Sequence, residues 1–322
     1  MKALILNAPL KTATVQDIPV PAPLPHEILV RVHYVALNPV DALYTFNPLG
    51  ASGRVVGSDF AGIVEAIGTS VPSDIKIGIR VAGFLHGACS ANDLPGAFAE
   101  YLTVPFDLAW RVSDEMSLAQ AASVSLCGLT AAQALFYRLG MAAPFDWDDD
   151  YALSSTSGDK ADLVTVFIYG ASTSVGLYAA QLVNLAFASS SRRLCLIGAA
   201  SALRHAQLKA KPYSYDHLVN YRDTDWPQQI QELCKENGGV DYAVDCISEG
   251  LSVERVSRSL AGGGKGKLAV LRSREGGAWN GENVPVEVEP VYGAVWEGLG
   301  KEVKYQGRYF CILAPLVKAV EI

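Results

Sequence analysis

LVTVFIYGASTSVGLYAAQLVNLAFA, residues 163–188, is the stretch on which the fold turns. Its first seven residues, Leu163 to Tyr169, form a continuous apolar run of the kind found in strands buried on both faces of a parallel sheet. From Leu177 onward the apolar residues fall at helical spacing, and GASTSVG (170–176) separates the two patterns with a glycine at each end. Strand, short loop and helix in that order put a helix N-terminus at the carboxyl end of a sheet strand. Unbonded N–H groups and the positive end of the helix dipole then face the place where a dinucleotide pyrophosphate sits. The loop departs from G-x-G-x-x-G at its centre, where Thr173 and Ser174 replace the usual glycines, and their hydroxyls are expected to donate to phosphate. An ordinary Ser- and Thr-rich β–α turn that holds no ligand is the other reading.

Downstream, Leu194 to Ile197 and the helical pattern of Ala202 to Lys209 complete a strand–helix–strand unit. Short strands at Val240 to Cys246 and Lys267 to Leu271 continue the alternation, which predicts a doubly wound parallel sheet of the Rossmann type. Upstream the pattern is different. Residues 1–125 read as mostly β, with strand-like runs at Ile28 to Tyr34, Gly62 to Ile67 and Tyr101 to Val104, punctuated by Pro and Gly. A helix carrying LAQAASVSL is predicted from Ser117, an N-cap with Gln120 three residues on, and a second over Thr130 to Leu139, closed by Gly140. The acidic stretch FDWDDDYALSSTSGDKAD (145–162) reads as a surface loop, and the chain is less regular from about residue 278. The expected division is therefore 1–125, a β-rich domain; 126–277, a dinucleotide domain; and 278–322, a less regular remainder.

A chain of 322 residues, half of them hydrophobic, supports two cores rather than one. Its net charge of −7 argues against nucleic acid and anionic membranes as partners, since both attract clustered Lys and Arg. There is no apolar run of the ~18 residues a membrane span needs. MKALILNAPL lacks the pattern of a signal peptide. The six cysteines (Cys89, Cys127, Cys195, Cys234, Cys246, Cys311) form no C-x-x-C pair and read as reduced, packed thiols, so a cytoplasmic location is expected.

An acidic residue at the end of the second strand would bind a free ribose 2′-OH. Here GAASALRH supplies Ser201, Arg204 and His205 instead, which favours a 2′-phosphate and therefore NADPH. A solvated helix residue is the other reading of Arg204. Tyr221, after the next short strand, is placed to lie along the adenine, or simply to pack.

These segments, with VALNPVDA (35–42), VVGSDFAGIVEAIG (55–68), GAFAEYLTVP (96–105) and DYAVDCIS (241–248), resemble the medium-chain dehydrogenase/reductases. More narrowly they are similar to the zinc-free branch and the trans-acting enoyl reductases of fungal polyketide synthesis, the lovastatin type. The resemblance implies a GroES-like substrate domain over 1–125, to which 278–322 return, joined to the Rossmann-type sheet. It implies cofactor contacts at Pro39, Val40 and Asp41 beside the nicotinamide and at Ser172, Thr173, Ser174 and Val175 around the pyrophosphate. Ser201 and Arg204 take the 2′-phosphate, Tyr221 the adenosine side, and Ile247 and Ser248 the nicotinamide rim. The substrate cleft corresponds to Leu126, Cys127, Gly128, Leu129, Thr130 and Ala131, with Val270, Leu271, Arg272, Ser273 and Arg274. Relatives of the lovastatin type carry Lys after the N-P-V-D-A turn; this chain has Leu43. They also continue past 305–307 with further elements, so a shortened C-terminus is expected here.

No metal is expected. Zinc members carry G-H-E where this chain has Gly57-Ser58-Asp59, their structural lobe needs four cysteines, and His86 with Cys89 reads as a coincidence of the loop. The implied reaction is NADPH-dependent reduction of an activated C=C bond in an acyl thioester. Backbone amides, Thr130 or a ribose hydroxyl would meet the developing enolate. The proton donor is not evident; Tyr34 and Tyr44 lie near the turn, where packing is their other reading. Quinone reduction by NADPH, or cofactor binding without turnover, are the alternatives. The expected partners are a small-molecule or carrier-bound acyl substrate and, transiently, a polyketide synthase, for a monomer or homodimer.

Overall fold

The computed structural model describes residues 1–88, 95–144, 163–188 and 190–299, with the backbone of 303–305 and 308–310. The predicted loop 145–162, Cys89, Cys311 and the expected shortfall beyond 310 lie outside the described residues. Two compact units divide the chain, one of Met1–Leu129 with the residues from Trp296, the other of Thr130–Val295.

In the first unit, β1 (Lys2–Asn7) and β2 (Thr12–Asp17) form an antiparallel hairpin. β3 (Glu27–Ala36), β4 (Asp59–Ile67), β5 (Arg80–Phe84), β6 (Tyr101–Pro105) and β7 (Ala109–Arg111) form an antiparallel sheet in the order β6-β3-β4-β5-β7. Alternation sorts the side chains of this sheet into two clusters: Ile28 and Val30 of β3, Phe60 and Val64 of β4 and Leu102 and Val104 of β6 bury into one, Ala61 of β4 and Ala82 of β5 into another with Ala121 and Ala122. Between β3 and β4 runs α1 (Pro39–Phe46), whose proline occupies the first turn, where its missing N–H leaves no bond unmade.

The single helix predicted from Ser117 is two. Its start is as expected, with Ser117 Oγ accepting from Gln120 N–H (3.2 Å) and Gln120 Oε1 accepting from Ser117 N–H (3.0 Å). α2 (Leu118–Ala122) then stops at Ser123, whose hydroxyl donates back to Gln120 O (2.8 Å), and α3 (Ser125–Ala132) begins afresh. α3 passes into a π-helical turn, Gln133–Arg138, before Gly140 closes the segment at φ +68°.

The second unit is a six-stranded parallel sheet in the order β10-β9-β8-β11-β12-β13. Its elements are β8 (Leu163–Tyr169), α4 (Ser174–Ala188), β9 (Arg193–Ala200), α5 (His205–Lys209), β10 (His217–Asn220), α6 (Trp226–Leu233), β11 (Tyr242–Asp245), α7 (Ser252–Ser257), β12 (Lys267–Val270) and β13 (Pro290–Tyr292). The period of two along β8 serves both faces. Val164, Val166 and Ile168 pack with Ala179, Ala180 and Val183 of α4, while Phe167 packs with Trp226 and Ile230 of α6 and Val253 of α7. β13 was not expected; it pairs parallel to β12 from within the stretch that reads as irregular. The backbones of β14 (Val303–Tyr305) and β15 (Arg308–Phe310) form a further antiparallel pair. Among the described residues no helix is long and apolar enough to cross a membrane, and Cys127, Cys195, Cys234 and Cys246 are free thiols.

Candidate functional site

Strand register brings the predicted cofactor residues of the second unit to one edge. Tyr169 of β8 lies level with Ala199 of β9 and Asp245 of β11, Asp245 with Val270 of β12, and Ala200 with Asn220 of β10. The residues that follow, Gly170–Ser174, Ser201, Tyr221, Cys246–Ser248 and Leu271, therefore leave the sheet side by side at its carboxyl edge. Chain order runs outward from β8 through β9 to β10 and, on the other side, through β11 to β12 and β13. The connections part between β8 and β11, the crevice in which open α/β sheets bind ligands.

The Gly170 loop is built for a close approach. Gly170 (φ +78°) and Ala171 both donate their N–H to Ala199 O, at 3.1 and 3.0 Å. A Cβ on Gly176 would stand 2.4 Å from Gly170 O, so only glycine lets α4 start this near the strand. This tight cradle, at the N-terminus of a 15-residue helix, fits a pyrophosphate. Thr173 is used differently from the expectation that its hydroxyl donates to phosphate. Its Oγ1 donates to Gly170 O (2.8 Å) and accepts from Gly176 N–H (3.1 Å), holding the loop shut as a helix cap. Ser172 and Ser174 are exposed and Val175 is half-buried.

At the next connection Ser201 opens a 3₁₀ turn, and the exposed Arg204 donates from Nη1 to Gln207 Oε1 (3.4 Å). Tyr221 N–H donates to Ala200 O (3.3 Å), which places its residue beside Ser201, and the Arg222 guanidinium lies 4.5 Å over its ring. Arg222 was not singled out from the sequence, although it directly follows Tyr221.

On the far side of the crevice the organiser is Asp245, also missed. Its Oδ1 accepts from Ile247 N–H (2.9 Å) and Ser248 N–H (2.8 Å), and its Oδ2 from Ser252 Oγ–H (2.5 Å). Burial raises its pKa, against the pull of these donors. Ser248, expected at the nicotinamide rim, is buried at φ +49°. Its hydroxyl donates to Asp245 O (2.6 Å) and accepts from Leu271 N–H (2.8 Å), so it braces two connections. Ile247 stays partly exposed, and a Cβ on Gly170 would meet its Cγ1 at 3.2 Å. An Asp that ends an apolar strand with Ser three residues later is the pattern of a side-chain-closed turn, the signal that would have found Asp245. Beyond it Val270 is buried, Arg272 pairs with Glu249 (2.7 Å), Ser273 Oγ accepts from Gly276 N–H (3.0 Å) and Arg274 is exposed. Thr130, half-buried, and Ala131, buried, stand on α3 where it enters this unit.

In the first unit the structure joins three segments that the sequence offered separately. Asn38 N–H donates to Asp41 Oδ2 (2.7 Å), Asn38 Nδ2 to Asp59 Oδ2 (2.9 Å), Ser58 Oγ–H to Asp41 Oδ1 (2.6 Å) and Leu126 N–H to Asp59 Oδ1 (2.9 Å). Cys127 Sγ lies 3.5 Å from Asn38 Oδ1. Burial lifts the Asp59 carboxyl to about 7, helped by the neighbouring Asp41 charge. Asp41 is lifted in the same direction, mainly by burial. Around it Pro39 and Leu43 are exposed, Val40, Gly128 and Leu129 half-buried. Ser58 and Asp59, where zinc members carry His and Glu, are both bound up in these hydrogen bonds. Among the described residues no three His, Cys, Asp or Glu side chains cluster to hold a metal.

His86 stacks on Trp296 (4.3 Å between ring centroids, 13°) and meets the edge of Tyr44 (5.0 Å). Among the described residues neither of its nitrogens has a hydrogen-bond partner, and burial drives its pKa down to about 3. Tyr44 is buried in this contact, while Tyr34 is half-exposed on β3.

Residues 24–114 match the alcohol dehydrogenase GroES-like domain family. A trans-enoyl reductase of Penicillium crustosum is 31% identical over 311 residues, 95% of this chain and 79% of that protein. The chain belongs to the medium-chain dehydrogenase/reductase superfamily. Among solved members, the CurK enoyl reductase superposes with a TM-score of 0.71 at 19% identity, covering 92% of this chain and 82% of that one. A mycobacterial protein solved in complex with NADPH superposes at 0.64 with 24% identity, over 92% and 82% of the two chains. The antiparallel GroES-like sheet and the parallel Rossmann-type sheet of this dehydrogenase/reductase are thus the superfamily's two folds.

Proposed function

We propose that this member is an NADPH-dependent reductase of activated C=C bonds, a trans-acting enoyl reductase that works on a polyketide acyl thioester in secondary metabolism. The observation that carries the cofactor half is the end of β9, where the chain continues into Ser201 and the exposed Arg204 with no carboxylate, next to the connection that carries Tyr221. A planar guanidinium matches phosphate bidentately, whereas a carboxylate there would repel it. The substrate half rests on likeness to trans-enoyl reductases over nearly the whole chain. When bound, NADPH supplies a hydride to the β-carbon; a proton joins the α-carbon, and NADP⁺ and the saturated thioester leave. In this reading the Ser172, Ser174 and Val175 amides, which the loop's own hydrogen bonds do not use, hold the pyrophosphate, Asp245 fixes the Ile247 rim, and the Thr130 hydroxyl donates to the thioester oxygen as negative charge grows on it.

The functional division we assign is residues 1–125 for substrate, 126–277 for NADPH and 278–322 for the return to the substrate domain. The substrate arrives on a carrier, so the polyketide synthase is a transient partner, met in the cytoplasm by a monomer or homodimer. The test is a fluorescence titration with NADPH and NADH of wild type and Arg204→Ala, followed by turnover of enoyl thioesters. Tight NADPH binding that falls towards the NADH level in the variant, with NADPH oxidation driven by enoyl thioesters, is the expected result. Equal affinity for both cofactors in both proteins rejects the 2′-phosphate assignment.

A further inference from the structure

Two connections leave the carboxyl edge together on the outer half of the parallel sheet, one after β11 and one after β12. They are fastened at successive levels: Leu271 N–H donates to Ser248 Oγ (2.8 Å), Arg272 pairs with Glu249 (2.7 Å), and Gly250 N–H donates to Ala278 O (2.9 Å). Beyond the last fastening they part, leaving an open pocket of about 520 Å³ lined by Gly250, Leu251, Arg274, Gly277, Trp279 and Asn280. We propose that this pocket anchors the phosphate of a phosphopantetheine arm, with Arg274 on the phosphate and Trp279 against the branched alkyl group next to it.

The two arginines of the connection are in opposite states. Arg272 has its carboxylate, while among the described residues Arg274 has none within ion-pair distance. A guanidinium left over on a pocket wall is a fork for an incoming anion. A Cβ on Gly281 would stand 3.2 Å from Arg274 Cζ and 3.0 Å from Trp279 Cζ3, so cation and indole edge meet over that glycine. The indole is held in place because its Nε1–H donates to Arg272 O (3.0 Å). The pocket thus offers a phosphate site and a rigid apolar wall in contact with each other. A pantetheine phosphate presents the matching pair, since a quaternary carbon with two methyl groups sits one methylene from its phosphate ester. Leu251 lies three residues from Ser248, at most ~11 Å along the chain. An arm anchored in the pocket can therefore carry its thioester back towards the crevice between β8 and β11.

This inference rests on the enoyl-thioester reading, and the same arm is shared by acyl carrier proteins and coenzyme A. The test uses the whole chain, wild type and Arg274→Gln, with NADPH and crotonyl thioesters of N-acetylcysteamine, 4′-phosphopantetheine, coenzyme A and a carrier protein. The expected result is a KM raised about tenfold or more for the phosphate-bearing thioesters, with KM for the N-acetylcysteamine thioester and the NADPH affinity unchanged. Partial recovery is expected in Arg274→Lys. A carrier thioester with lower KM than the coenzyme A thioester, sharing the Arg274 dependence, assigns the arm to a carrier; the reverse order assigns it to coenzyme A. An equal effect on all thioesters, or none, overturns the pocket. If no thioester is reduced, the enzymatic reading fails separately, and calorimetric titration with 4′-phosphopantetheine against pantetheine decides the site. Tighter binding of the phosphate form, lost in Arg274→Gln, upholds it; equal binding of the two overturns it.

Discussion

A side chain acts on a ligand only with atoms that the fold has left unused, and Ser248 has none to spare. Ser248 faces the crevice in sequence, yet its hydroxyl is bonded to Asp245 O and Leu271 N–H, so its contribution is to the shape of the connection. Asp245 fixes that shape. Removing its buried carboxylate strands two N–H groups and the Ser252 hydroxyl, so Asp245→Ala should cost about 3 kcal/mol or more in urea unfolding. Asp245→Asn keeps one oxygen for the two N–H groups and should cost clearly less; equal losses would remove the organising role. Thr130 carries the residue-scale prediction of the proposed reaction. Thr130→Val should lower kcat by ~10² while KM and NADPH affinity hold, with Thr130→Ser near wild type, and a KM effect without a kcat effect would reassign the hydroxyl to substrate packing. Arg204 was singled out because a cation follows the second strand where a carboxylate would bind a free ribose 2′-OH, and its role is what the NADPH titration decides. Asp245 was not, because its importance lies in which donors a turn delivers to it, and Arg222 was passed over because it matters through the ring of its neighbour.

At the scale of elements, the limits of β8 are those the sequence predicts, since its apolar run stops at a glycine that closes it on the β9 side. α2 and the start of α3 were read as one helix because Ser123 and Val124 do not break the apolar spacing; the back-bond from Ser123 to Gln120 is what ends α2. The π-turn after Ala132 keeps helical periodicity nearly intact, which hides it from a periodicity argument. β13 is three residues long, begins with Pro290 and sits at a sheet edge, so neither length nor alternation announces it. The start of α4 carries the element-scale prediction. Thr173→Val removes a cap that bonds at both ends and should lower stability by ~1 kcal/mol, whereas Thr173→Ser should not. Gly176→Ala forces a methyl to within 2.4 Å of Gly170 O. It should lower the melting temperature further and abolish cofactor binding, because the loop must open to admit the methyl. Thermal melts with and without NADPH separate the two effects, and a Gly176→Ala protein that still binds would show that the cradle tolerates a wider loop.

Across the whole molecule, the buried titratable groups of the first unit give stability a pH dependence that composition alone would not predict from a net charge of −7. His86 has a folded pKa lowered to about 3. An unfolded chain therefore takes up a proton that the folded one refuses, and the stability present above ~6.5 is lost as pH falls towards 3. Asp59 works in the opposite direction. Its folded pKa, raised to about 7, means that the folded carboxyl keeps a proton the unfolded chain has released. The stability it lends is complete below ~4 and is lost as pH climbs through 7. In the interval between ~4 and ~6.5 the two slopes oppose each other, and wild type should be flatter there than either variant. His86→Phe, whose ring can occupy the same slot between Tyr44 and Trp296, should remove the acid-side loss. Asp59→Asn cannot ionise, so its deficit relative to wild type should shrink steadily in urea melts from pH 5 to pH 8, as wild type comes to bury a charge that the amide never carries. A deficit that stays constant over that range would mean that Asp59 is ionised throughout, held so by Asn38 and Leu126, and that its two hydrogen bonds outweigh the cost of burying it.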